Sequence, residues 1–477
     1  MMNYASGLRW GFIFNLSTKL VALIAGLFLA RTLGPEVMNA YWLALTVFVF
    51  ADLFREFGLL TAYLNDKAVD EPREASYHRL AIATGLLTGV VVAMLGYPLS
   101  RFFGTPQLIE GCPYIGALLV LNGLTTIPLA KLFHMGRFKE TGLIETLSFL
   151  MSYLVAIGLV LAGVGFPALM IQLLLCSAIT MVMAIKASKV RWHAAPEGTY
   201  PEILKKGFSI TSGNLLWLSY SSLDQPLVSK FFGPLIGGNY GIAKQLTAKP
   251  GDFLGVPLMR IVQVAIGHRA GTTEPLKVAL TKAVIAFLLV MVPMFVCLSI
   301  LAEPFVQALL GDKYPLAPAM VPPLCAYSFA RLFGAVPGNV VIALGKASAI
   351  TSSWILGFLA TGIYAVFRWG KWDAVEIAWV FALGFILVNG LILAICIRKI
   401  GIRQGLGKRL VQSLLCTVLV GLVAYGIDAI DWSPWVTVGA SILSLPVFYA
   451  GVLGIILAGN PFAFLSKART REIWKTL

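Results

Sequence analysis

The sequence predicts an all-α, polytopic membrane protein with about 14 transmembrane helices, arranged as two six-helix lobes in pseudo-two-fold relation plus two C-terminal helices. Three observations carry that expectation. The chain of 477 residues is 58% hydrophobic and only 12% charged, half the roughly 25% charge that a soluble globule carries. Apolar runs of about 20 residues, long enough to cross a bilayer as helices, recur at nearly even spacing to the C-terminus. The chain also matches itself when one half is slid onto the other. A soluble enzyme, a secreted disulfide scaffold and an outer-membrane barrel, whose strands would alternate over about ten residues, are excluded.

Each span is an apolar run bounded by charge, glycine or proline. Span 1, 9–31, is too long for the apolar region of a signal peptide, holds Lys19, and ends at Arg31-Thr32-Leu33-Gly34-Pro35 without a small-residue cleavage site, so it is expected to be retained. Span 2, 38–63, holds Asp52, Arg55 and Glu56; a polar linker, 64–77, then leads to span 3, 78–98, where Gly85 and Gly89 are spaced for close helix packing. Span 4 covers 109–131, span 5 covers 141–162 and span 6 covers 166–187. Beyond a second polar stretch, 188–207, span 7 (208–230) contains Asp224 beside the kinking Pro226, and span 8 (238–264) contains Lys249, Pro250, Asp252 and Pro257. Span 9 is 280–302, and span 10, 316–343, carries Pro322, Pro323, Arg331 and Pro337. Spans 11 to 14 are 348–367, 375–397, 408–429 and 434–458. The six cysteines fall within or at the edges of spans with no metal or redox spacing, and the four histidines sit near span ends, so no metal site is expected.

Because cytoplasmic loops retain Lys and Arg, charge fixes the expected orientation. The termini and even-numbered connections hold 26 cations and the opposite side 7, which places both termini in the cytoplasm. The net charge of +15 reflects that bias rather than a nucleic-acid footprint.

A shift of 199 residues lays Asn15-Leu16 on Asn214-Leu215, Arg31 on Lys230, Gly34-Pro35 on Gly233-Pro234, Tyr41 on Tyr240 and Ala44 on Ala243. A shift of 209 lays Pro128 on Pro337, Gly136 on Gly345 and Arg137 on Lys346. Chance recurrence of Gly-Pro at helix ends explains one such match, not a collinear series. The expected organisation is an N-terminal lobe at 1–190, a cytoplasmic linker at 191–207, a C-terminal lobe at 208–400, and a final helix pair with a cytoplasmic tail at 401–477. Six is even, so the lobes share one orientation, and substrate is expected between them near the midplane.

These residues resemble a known family. Phe28-Leu29-Ala30-Arg31-Thr32-Leu33-Gly34-Pro35 with Tyr41, and its echo from Asp224 through Lys230-Phe231-Phe232-Gly233-Pro234 to Gly238-Asn239-Tyr240 with Pro250, are similar to the Wzx-like oligosaccharide flippases of the MOP superfamily. Gly136-Arg137-Phe138-Lys139 and the stretch from Glu303-Pro304-Phe305 to Gly311-Asp312-Lys313-Tyr314 extend the likeness over about residues 10 to 350. The resemblance implies a carrier that turns an undecaprenyl-diphosphate-linked oligosaccharide from the cytoplasmic to the periplasmic leaflet of the bacterial inner membrane by alternating access. It implies a cavity lined by spans 1, 2, 7 and 8, with spans 13 and 14 helping to hold the lipid tail. Membrane lipids, and polysaccharide polymerase machinery as a candidate neighbour, are the partners it implies.

A charge near the bilayer midplane costs about 2.5–3.5 kcal/mol on insertion scales, so each needs a reason. Four cations and four anions lie within spans: Lys19, Arg55, Lys249 and Arg331 against Asp52, Glu56, Asp224 and Asp252. The cations are the candidate substrate-binding residues, with Lys19 and Arg331 foremost for gripping a diphosphate, since neither has an acidic residue within a turn. Asp52 with Arg55, and Lys249 with Asp252, are three apart and equally suited to neutralising each other. Asp224 either binds a coupling proton or sodium ion or pairs with Lys19. No catalytic residue, resident cofactor or nucleic acid is expected. A MATE-type cation-coupled drug exporter is the alternative; the balanced charge tally does not separate the two, whereas the motifs and the extra helix pair favour the flippase. A polymerase or glycosyltransferase is disfavoured by the short periplasmic connections.

Overall fold

The structure, a computed structural model, describes residues 4–66, 70–189, 199–267, 273–368, 370–401, 406–430 and 432–458. All regular elements among them are helical. The chain opens with α1 (Tyr4–Leu33), α2 (Pro35–Glu56), α3 (Leu59–Asn65), α4 (Glu71–Met94), the short α5 (Gly96–Phe103) and α6 (Gln107–His134). It continues through α7 (Phe138–Leu161), α8 (Phe166–Ser188), α9 (Thr199–Ser222), α10 (Asp224–Gly267) and α11 (Thr273–Ile300). The rest is α12 (Ala302–Leu310), α13 (Ala317–Phe333), α14 (Ala335–Ala343), α15 (Ala347–Phe367), α16 (Ala374–Ile400), α17 (Leu406–Asp428) and α18 (Pro434–Ala458). Twelve stretches among the described residues are long and apolar enough to cross a membrane; the more polar α9 and α10 cover the predicted spans 7 and 8. The protein is a multi-pass, all-α membrane protein, as the composition predicts.

Several boundaries differ from the sequence reading. The stretch 64–77 is mostly helix, because α3 runs to Asn65 and α4 begins at Glu71. Asp70 makes that start possible, its carboxylate accepting the Arg73 backbone N–H at 2.9 Å as an N-cap. Residues 199–207, expected in a linker, form the first turns of α9; 190–198 and the tail from 459 lie outside the described residues. Span 2 is not one helix. Phe57 and Gly58 both take left-handed backbone, φ 45° and 66°, so α2 stops at Glu56 and the chain restarts as α3.

Two compact units divide at Gly241 and Ile242, and each builds the same scheme. In the first, α4 packs on α6, and α6 and α7 each pack on α8. In the second, α11 packs on α13, and α13 and α15 each pack on α16. The repeat extends to dihedral angles. Gly34 has φ 84°, ψ 174° before α2, and its repeat mate Gly233 has φ 83°, ψ 176° inside α10, a region open only to glycine. Gly136 and Gly345 have φ 70° and 71°, and each closes a helix in the same way: Arg137 N–H bonds Leu132 O and Lys346 N–H bonds Val341 O, both at 3.0 Å.

Packing in the first unit relies on missing side chains. A Cβ on Gly89 would lie 2.6 Å from the Gly116 carbonyl oxygen, and one on Gly116 would lie 2.5 Å from that of Gly89. The α4 and α6 backbones touch there, the close approach expected of small residues in a bilayer. In the second unit, α17 packs on α11, and α18 packs on α12 and α17, through a buried cluster of Leu301, Val420, Ala424 and Leu445.

Candidate functional site

The polar groups on α2 are ordered by helical spacing. Asp52 and Arg55, one turn apart, form an ion pair with Nε to Oδ1 at 2.6 Å, and the Arg55 side chain is only 6% exposed. Its Nη1 donates to Thr126 Oγ1 of α6 at 2.6 Å, while Thr84 of α4 donates to the Arg55 carbonyl at 2.7 Å. The guanidinium is therefore fixed in position with part of its donor set committed, which is how a cation is held on an apolar helix without water.

The second unit has its own aspartate–arginine pair. Asp252 of α10 lies 200 residues after Asp52, one off the repeat shift. Its Oδ1 accepts from Arg331 Nη2 of α13 at 3.2 Å, with the two side chains 32% and 23% exposed. Arg331 thus meets an acid from another helix, 79 residues away, and Asp252 is engaged beyond its own helix neighbour Lys249, which is half-buried one turn earlier. The same α10–α13 seam holds Ser328 Oγ bonded to the buried Thr247 Oγ1 at 3.3 Å, and Lys244 stands 5.1 Å from the Tyr327 ring centre. In each unit a polar strip runs along an otherwise apolar helix pair.

Asp224 is fully buried, and Tyr240 donates its hydroxyl to Oδ2 at 2.7 Å. The neighbouring Gln225 and Ser229 reach Asn39 of α2. Lys19 sits half-buried on α1, which packs along α7 and is tied to it by a 2.9 Å contact between the Thr18 and Thr146 hydroxyls. Sequence reasoning singled out the charges because each is conspicuous on an apolar span. It missed the neutral partners Thr84, Thr126, Asn39 and Gln225; Gly237-Gly238, a hint of close backbone approach, was a signal for Asn39 and Gln225 alone.

An apolar groove of about 380 Å³ lies in the second unit. Pro293 and Cys297 of α11, Phe305 of α12, Val420 of α17 and Leu445 of α18 line it, and Ile442, 60% exposed, stands at its rim. Among the described residues no cluster of three or more metal-ligating side chains occurs.

Comparison with known proteins agrees with this geometry. Residues 28–317, more than half of the chain, match the family described as "Polysaccharide biosynthesis protein". The chain is 21% identical over 353 residues to the lipopolysaccharide biosynthesis protein WzxC of Escherichia coli (strain K12), covering 72% of this chain and 70% of that one. Its fold resembles that of the lipid II flippase MurJ in an inward closed conformation, with a TM-score of 0.72 at 14% identity, covering 94% of this chain and 98% of that one. An inward-facing multidrug resistance MATE transporter of the MOP superfamily is similar with a TM-score of 0.62 at 14% identity, covering 83% of this chain and 96% of that one.

Proposed function

The chain belongs to the polysaccharide biosynthesis protein family, and on that premise we propose that it is a flippase moving an undecaprenyl-diphosphate-linked oligosaccharide from the cytoplasmic to the periplasmic leaflet of the inner membrane. The observation that carries this reading is the Asp–Arg pair in each unit, whose aspartates lie on helices that the internal repeat makes equivalent. A diphosphate arriving near the midplane can displace the carboxylate from such a guanidinium, because both ligands offer the paired oxygens that a guanidinium binds bidentately. Lys19 and Lys249 add point charges on α1 and α10. The aspartates then serve as internal counterions that keep the empty carrier neutral, which removes the cost of an unpaired cation between cycles.

The groove beside α17 and α18 suits the polyprenyl tail, since its named walls are apolar and its rim is open. Orientation follows from the 26 to 7 distribution of cations.

Lipid extracts of a deletion strain test the reading. The flippase account expects lipid-linked oligosaccharide to accumulate and surface polysaccharide to fall, with both restored by the wild-type gene. Normal lipid-linked saccharide together with hypersensitivity to cationic drugs would replace it with the exporter.

A further inference from the structure

One contact within the first unit is packed more tightly than its chemistry justifies. The segment of α10 just after Gly233 presses on the start of α2: a Cβ at Gly238 would fall 1.9 Å from the Pro35 carbonyl oxygen, and one at Gly241 would fall 2.1 Å from Trp42 Cδ1. Three of the six buried side-chain polar atoms that lack a partner among the described residues gather here: Asn39 Nδ2, Trp42 Nε1 and Gln225 Oε1. Their orientations are fixed by what the other ends do. Gln225 Nε2 donates to the Gly237 carbonyl at 2.9 Å, and Asn39 Oδ1 accepts from Ser229 Oγ at 2.6 Å, so the unmet atoms are a donor, a donor and an acceptor. Asn39 is fully buried and Gln225 is 5% exposed.

Buried polar groups are almost always satisfied, so three unmet ones in a single contact point to a partner that comes and goes. The mixture of donors and acceptor narrows its chemistry. A phosphate only accepts and leaves Gln225 Oε1 unmet; an ammonium only donates and leaves Asn39 and Trp42 unmet. A hydroxyl does both, as water does, and a sugar ring presents several hydroxyls at once. Trp42, whose ring lies against Gly241, adds apolar surface suited to the C–H face of a sugar ring.

We propose that Asn39, Trp42 and Gln225 form a glycan-reading site, whose open hydrogen-bond positions are filled by sugar hydroxyls of the lipid-linked substrate when α2 and α10 separate. This rests on the flippase reading and names which part of the substrate the contact recognises. The repeat-equivalent Gly34 and Gly233, just before the two touching segments, give each backbone a place to turn. Unmet groups penalise the closed contact, so sugar binding favours opening.

Native mass spectrometry of the purified full chain tests this with two probes: undecaprenyl diphosphate without sugar, and the lipid-linked oligosaccharide fraction extracted from the same cells. Wild type should retain the sugar-bearing lipid in preference to the bare one. Trp42→Phe, which removes the N–H together with the five-membered part of the ring, and Asn39→Ala should each weaken that preference about three- to tenfold, on the order of one hydrogen bond. Both should hold the bare lipid as wild type does. An unchanged preference in both variants overturns the proposal. So does loss of both lipids with a lowered unfolding temperature, which would make the contact purely structural. If wild type retains neither lipid, the flippase reading itself falls.

Discussion

Arg55 divides its donors between two helices, Nε to Asp52 and Nη1 to Thr126. A lysine carries its three donors on a single atom and cannot reproduce the separate Nε and Nη1 positions, so Arg55→Lys should lose most export at matched expression, measured as surface polysaccharide. Asp52→Asn removes the counterion of a buried guanidinium and should cost about 3 kcal/mol of stability, read from thermal unfolding in detergent. Arg331 is more exposed and held by one longer bond; Arg331→Ala should block export with little loss of stability, and Arg331→Lys should keep part of the activity. Asp224→Asn preserves an acceptor for Tyr240, so the protein should still fold while export fails. Partial recovery in Asp224→Asn with Lys19→Gln is the expected sign of a salt bridge, and loss in all three variants identifies ion coupling or substrate contact. The charges were legible in the sequence because a bilayer makes every one of them costly. The Asp52–Arg55 pair was legible from its spacing as well, but the cross-helix partners were not, since Thr126 and Asp252 lie 71 and 79 residues from the arginines they bind and nothing in local periodicity joins them.

Helix ends show where local chemistry dictates structure. Gly34 and Gly233 share a backbone conformation that a side chain cannot adopt without strain, so Gly34→Ala and Gly233→Ala should each destabilise by about 1–3 kcal/mol in thermal unfolding. Gly104→Ala at the end of α5 should cost less, because φ 65°, ψ 29° is left-handed helical backbone that other residues occupy and its Cβ would meet open space. The Gly-Pro repeat was legible because both residues are punctuation in any sequence. The break between α2 and α3 was not: it depends on Phe57, a residue with no turn preference, taking φ 45°. Tertiary packing fixes that, as a Cβ on Gly207 of α9 would lie 2.2 Å from the Phe57 carbonyl oxygen. The start of α9 was hidden for a related reason, since its Glu202, Lys205 and Lys206 read as linker until Glu202 is seen to bond Arg73 of α4.

At the scale of the whole chain, composition and spacing were enough to predict the fold class, because a bilayer admits few solutions for so apolar a sequence. Orientation is testable directly. Single cysteines placed at 205 and at 313 in a cysteine-free background, probed in intact cells with an impermeant thiol reagent, should react only at 313. Labelling at 205 but not at 313 would invert the topology. The pKa of Lys346 is pushed below its ordinary range by Lys399, whose N–H a neutral Lys346 amine accepts and whose charge repels an ammonium. The groove bounded by α11, α12, α17 and α18 has a pharmacological consequence. For a carrier of a lipid-linked substrate, a site walled by Phe305, Val420 and Leu445 with Ile442 at its mouth is expected to be reached from the hydrocarbon phase, so an inhibitor's occupancy there would follow its partition coefficient rather than its aqueous dose. Potency would fall as total membrane in the assay rises, and compounds ranked in detergent would change order in liposomes.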